Sequence, residues 1–137
     1  MANIKLYNPD GVNLTRLIEL YLIVPIGATG APGTYVLQWG FGQNTLQTTP
    51  LVRTGAGVYT VQLTEPYAGT IVWYGANTVQ GTVAAGDGLN GVITAQTVAT
   101  NGQFTLTMLN NSSAAAEIRN GATLLLSMGL KNNANYP

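Results

Sequence analysis

Along much of the chain apolar and polar residues alternate with a period of two, the spacing that sends side chains to opposite faces of a strand. In Val58-Tyr59-Thr60-Val61-Gln62-Leu63, the residues Tyr59, Val61 and Leu63 share one face, and Thr60 and Gln62 the other. Phe104-Thr105-Leu106-Thr107-Met108 alternates strictly between apolar residues and Thr, which predicts one buried face and one wet face. In the run from Leu124 to Leu130, Leu124, Leu126, Met128 and Leu130 align, marking the final core strand. Further strands are predicted over residues 3–7, 15–24, 34–41, 46–53, 70–75, 78–84 and 91–100. From Leu17 to Ile23, β-branched residues and the following Pro25 favour a strand over a helix. One helical turn is predicted inside the loop from Ser113 to Ile118.

Between these runs, Asp10-Gly11, Asp87-Gly88, Asn90-Gly91, Asn101-Gly102 and Asn120-Gly121 suit turns that need a positive φ. Asn101-Gly102 is the clearest of them and joins 91–100 to 103–109 as a hairpin. Many short strands with regular turns predict an all-β domain, a small antiparallel β-sandwich or β-barrel. The 137 residues form a single β domain with one continuous core. Residues 1–26 are expected to serve as an N-terminal attachment arm or an edge strand, because edge strands readily add to neighbouring sheets. That places an interface at Leu17, Leu20, Tyr21, Leu22 and Ile23. Gly27-Ala28-Thr29-Gly30-Ala31-Pro32-Gly33 has Gly at every third position, but two triplets are too few for a triple helix, so a flexible loop is predicted.

Composition changes this picture in one respect. Apolar residues make up 46% of the chain, but charged residues only 7%, where soluble domains carry about 25%. Five basic and five acidic residues cancel. A neutral domain has little electrostatic protection against association, which suggests a surface covered by partners or by copies of itself. The alternative is a Thr/Asn-rich domain kept soluble by uncharged polar side chains.

Chemistry is sparse. With no Cys and no His, the thiol nucleophile, the usual general base and the commonest transition-metal ligands are missing. Among the carboxylates, Asp10 and Asp87 sit in Asp-Gly turns, and Glu19, Glu65 and Glu117 are unpaired in sequence, so no catalytic residue is assigned and no enzyme is expected. Ser112, Ser113 and Ser127 lack an activating base. Asp87-Gly88-Leu89-Asn90 reads as a turn in preference to a calcium site, and no metal or cofactor is expected. Lys5, Arg16, Arg53, Arg119 and Lys131 are scattered, which argues against nucleic acid as a partner. The stretch from Leu17 to Ile26 is too short to span a bilayer, so no membrane partner is expected. Trp39, Tyr67, Trp73 and Tyr74 could stack on sugar rings or anchor a protein interface. Trp73 and Tyr74 must point to opposite faces of a strand, one toward the core and one toward the surface; Tyr74 joins the interface set.

The segment from Leu51 to Leu63, with Arg53-Thr54-Gly55-Ala56-Gly57-Val58-Tyr59-Thr60-Val61-Gln62-Leu63 at its heart, resembles a pattern in the small auxiliary capsid proteins of tailed bacteriophages. Those proteins show an Arg-Thr-Gly-x-Gly-x-Tyr-Thr-Val-x-Leu hairpin and then an aromatic-Ala step, here Pro66-Tyr67-Ala68. After middle strands and a polar loop, they end in a Leu-rich strand closing on Lys-Asn, here Leu124 to Asn132. The resemblance covers residues 46–133; the first 45 residues have no counterpart. It implies a decoration, or cement, protein on the capsid exterior of the virion, bound to the major capsid protein and to copies of itself as a homotrimer. The alternative function is a receptor- or glycan-binding tip domain of a phage head or tail fibre, suggested by the aromatic set.

Overall fold

The computed structural model describes residues 17–39, 50–63, 71–82, 84 and 87–131. Among the described residues eight strands are present: β1 (Leu17–Pro25), β2 (Leu37–Trp39), β3 (Leu51–Gly55), β4 (Val58–Gln62), β5 (Ile71–Val79), β6 (Asn90–Thr97), β7 (Gln103–Leu109) and β8 (Thr123–Lys131). They form two antiparallel four-stranded sheets, ordered β2-β1-β8-β5 and β3-β4-β7-β6. Of the two expected forms the described strands adopt the sandwich: both sheets are open, and no barrel closes. No helix among the described residues is long and apolar enough to cross a membrane.

The period-two pattern accounts for the core. Leu20, Leu22 and Val24 of β1 stand in register with Met128, Leu126 and Leu124 of β8, and all six are buried. From the other sheet come Leu51, Tyr59, Val61, Phe104, Leu106 and Met108, and one continuous cluster joins both inner faces. Burying each such side chain is worth about 1.5–3 kcal/mol, so the pattern predicted from the sequence is also the main stabilising term. The predicted inner face of β4 and the predicted last core strand are both observed.

Several expectations are corrected. Residues 17–25 are neither an arm nor an edge: β1 lies between β2 and β8. Residues 70–75 and 78–84, predicted as two strands, are largely one nine-residue strand, β5, because Gly75 is accommodated by pairing with Ser127. Asn90-Gly91 is not a turn but the start of β6. A side chain at Gly91 would overlap Ala76 Cβ and come within 3.1 Å of Leu106, so glycine is required there by the close approach of β6 to β5. The β6–β7 hairpin is observed, and its connection is a helical turn, α1 (Val98–Asn101), closed by Gly102 at φ 69°. No helical turn forms from Ser113 to Ile118; Asn110 organises that loop instead, its side chain accepting from the N–H groups of Ser112 and Ala114. The Gly27–Gly33 segment is a hydrogen-bonded turn rather than a free loop, with Gly27 N–H donating to Ala31 O and Gly33 N–H to Pro25 O. The predicted strand over 3–7, the Asp10-Gly11 turn, residues 46–49 and Pro66-Tyr67-Ala68 lie outside the described residues.

Candidate interaction surface

The charged side chains decide what the surface can do. Arg53 at the end of β3 donates through Nε to Glu117 Oε1 at 3.0 Å and through Nη2 to Oε2, a bidentate pair 64 residues apart in sequence. Gly57 N–H adds a longer bond to the same carboxylate at 3.4 Å. Beneath it, Gly30 leaves no room for a side chain, since a Cβ there would lie 2.6 Å from Glu117 Cδ. Tyr59, buried, donates its hydroxyl to Gly30 O at 2.9 Å. Burial, followed by the nearby Glu117 carboxylate, pushes the Tyr59 phenol up to about 12, so it stays protonated as a donor. Four segments are tied at one end of the sandwich by this cluster: the 28–30 turn, β3, β4 and the 114–118 loop.

The bidentate bond from Arg53 holds the Glu117 carboxyl below the usual carboxylate range, against the opposing effect of burial. A lowered folded pKa adds stability that is present above the unfolded value and lost as pH falls through the folded one. Glu117→Gln should therefore be less stable than the native chain at neutral pH, by about 1.5 kcal/mol. That gap should close as pH drops below about 4.3. Urea midpoints measured for both proteins from neutral pH to about pH 3 check this, and two parallel curves would refute it.

Asp87 is engaged in the same way: Arg119 Nη2 lies 3.1 Å from its Oδ2 and also donates to Gln80 Oε1 and Thr82 O, while Ala84 N–H caps the carboxylate. Glu19 accepts the Tyr21 hydroxyl at 3.0 Å, a bond that raises the Tyr21 pKa. Every charged side chain among the described ones is thus already in contact with a partner inside the chain. The outer face of the β3-β4-β7-β6 sheet is accordingly uncharged among the described residues, while that of the β2-β1-β8-β5 sheet carries the single carboxylate of Glu19.

On the β3-β4-β7-β6 sheet, register places Val52, Thr60, Thr105, Val58, Thr107, Gln62 and Gln103 together, an uncharged polar face. On the β2-β1-β8-β5 sheet, the rows across β1, β8 and β5 are Glu19–Gly129–Trp73, Tyr21–Ser127–Gly75 and Ile23–Leu125–Asn77. This second face combines an aromatic and aliphatic lining with a floor of small residues. It is the part of the described molecule best suited to contact something else.

Of the expected interface residues, Leu20 and Leu22 are 0% exposed in the core and cannot meet a partner. They share β1 with Tyr21 and Ile23, which alternate to the outer face; Tyr21 is 40% exposed. The backbone of Leu17 opens β1, and its side chain lies outside the described residues. Trp73 and Tyr74 do point to opposite faces, but neither enters the core. The indole lies across Gly129 on the outer face, so close that a Cβ at 129 would be 2.7 Å from its Cε2. Tyr74 turns to the inter-sheet side at the rim, where its hydroxyl accepts from the Ile93 N–H of β6 at 3.3 Å. It thereby covers part of an edge that would otherwise offer a free donor. No sequence signal linked Arg53 to Glu117 or Trp73 to Gly129; both pairings come from register and loop placement. The chain matches no family model, no curated protein and no solved structure.

Proposed function

We propose that this protein is a structural virion component that decorates and stabilises the outer surface of a bacteriophage capsid, bound to the major capsid protein and to copies of itself as a homotrimer. The observation that carries the reading is the pairing of Arg53 with Glu117 and of Arg119 with Asp87 within the chain, which leaves the outer face of the β3-β4-β7-β6 sheet uncharged and suited to close packing on a protein shell. The resemblance in the β3–β4 hairpin adds to it. Its distinctive residues have a physical task here, since Arg53, Gly57 and Tyr59 all belong to the brace around Glu117. The role asks for rigidity rather than catalysis, and the Glu117 and Asp87 carboxylates are spent on arginines. An attachment role of the N-terminal segment would fall on residues 1–16, which lie outside the described residues.

Purified protein should co-sediment with undecorated heads of its own phage, and the chain lacking residues 1–16 should bind them more weakly. If the full chain fails to pellet with heads at micromolar concentration, the reading is wrong.

A further inference from the structure

We propose that the outer face of the β2-β1-β8-β5 sheet holds a shallow binding site for a pyranose sugar, centred over Gly75 and bounded by Trp73, Tyr21 and Asn77. This goes beyond the capsid role and does not depend on it. The site follows from the register. Neighbouring strands stand about 4.8 Å apart and alternate residues on one face about 6.8 Å apart, so Gly129, Ser127 and Gly75 form a floor of small residues across β8 and β5. The Trp73 indole covers Gly129 and closes one side of that floor. Tyr21, on the far side of Ser127, closes another.

Two polar groups converge on what is left open. A point one Cβ bond above Gly75 lies 3.6 Å from Ser127 Oγ and 3.9 Å from Asn77 Nδ2. Neither side chain hydrogen-bonds to another described residue, and Asn77 is exposed. Glu19, already accepting from Tyr21, keeps its other carboxylate oxygen for a further donor. A pyranose ring has an apolar C–H face and a rim of hydroxyl groups. The first suits an aromatic wall, and the second suits an amide, a hydroxyl and a carboxylate at its edge.

An aromatic side chain beside an amide, a hydroxyl and a carboxylate suits a polyhydroxylated ring better than an apolar protein face.

Calorimetric titration of the full chain with glucose, galactose, N-acetylglucosamine and their short oligosaccharides tests this. Saturable binding of at least one sugar is expected. Trp73→Ala should weaken it by about tenfold or more, the effect typical of an aromatic anchor. Asn77→Ala, at an exposed position that leaves the fold intact, should weaken it severalfold. No binding of any of these sugars at millimolar concentration overturns the proposal, as does binding that both variants retain in full. Co-sedimentation with heads is measured separately, so either proposal can fail without the other.

Discussion

Replacing Gly57 with alanine is expected to cost about 3 kcal/mol or more, a large share of the roughly 5–15 kcal/mol that holds a domain of this kind together. Two independent penalties add. Gly57 adopts φ 67°, a left-handed conformation in which a side chain is strained. A Cβ there would also meet Ala116 backbone atoms, coming within 2.8 Å of C and 2.9 Å of N, and backbone cannot swing aside as a side-chain tip can. The same residue is held by a bond from Met108 N–H to its carbonyl at 2.8 Å, so the turn cannot move without breaking the tie to β7. Gly55, two residues away, is the control: a Cβ there meets only Val58 at 3.7 Å, an ordinary contact. Urea denaturation of the two variants should show a large fall in midpoint for Gly57→Ala and a small one for Gly55→Ala. Equal midpoints would show that the 114–118 loop does not press on this turn.

The second large effect separates neighbours on one strand. Leu22→Ala should destabilise by about 2–5 kcal/mol, because its side chain is fully buried between the sheets and the cavity cannot refill. Tyr21→Ala should cost less than about 1 kcal/mol, since the ring lies on the outer face and loses mainly its bond to Glu19. The order reverses for sugar binding, where only the Tyr21 variant should show a defect among proteins that fold. Removing residues 1–26 would take β1 out from between β2 and β8, and the remainder should fail to give a cooperative thermal transition. A cooperative transition in that truncated chain would contradict the placement of β1.

How much of this was legible beforehand varies from residue to residue. Tyr59, Val61 and Leu63, and Leu124, Leu126, Met128 and Leu130, could be assigned to the core directly, because alternation is a local property of a strand with one buried face. The Asn101-Gly102 hairpin was legible for a similar reason: its turn residues carry their own φ preference. Gly91 was misread as part of a turn because its glycine answers to Ala76, in the opposite sheet, and not to its own backbone. Leu20 and Leu22 were misjudged as contact residues because an apolar run looks the same whether the strand is central or at an edge.

What the sequence determined by itself was therefore the class of fold, the inner face of each strongly alternating strand, and a chain nearly free of charge. Those follow from period, composition and turn chemistry, all of which act over a few residues. Tertiary structure alone decided that β1 is central, that Glu117 meets Arg53, and that Trp73 lies on Gly129 beside Ser127 and Asn77. Each of those depends on strand order and register, which bring together residues dozens of positions apart, and register is set by the packing of whole sheets.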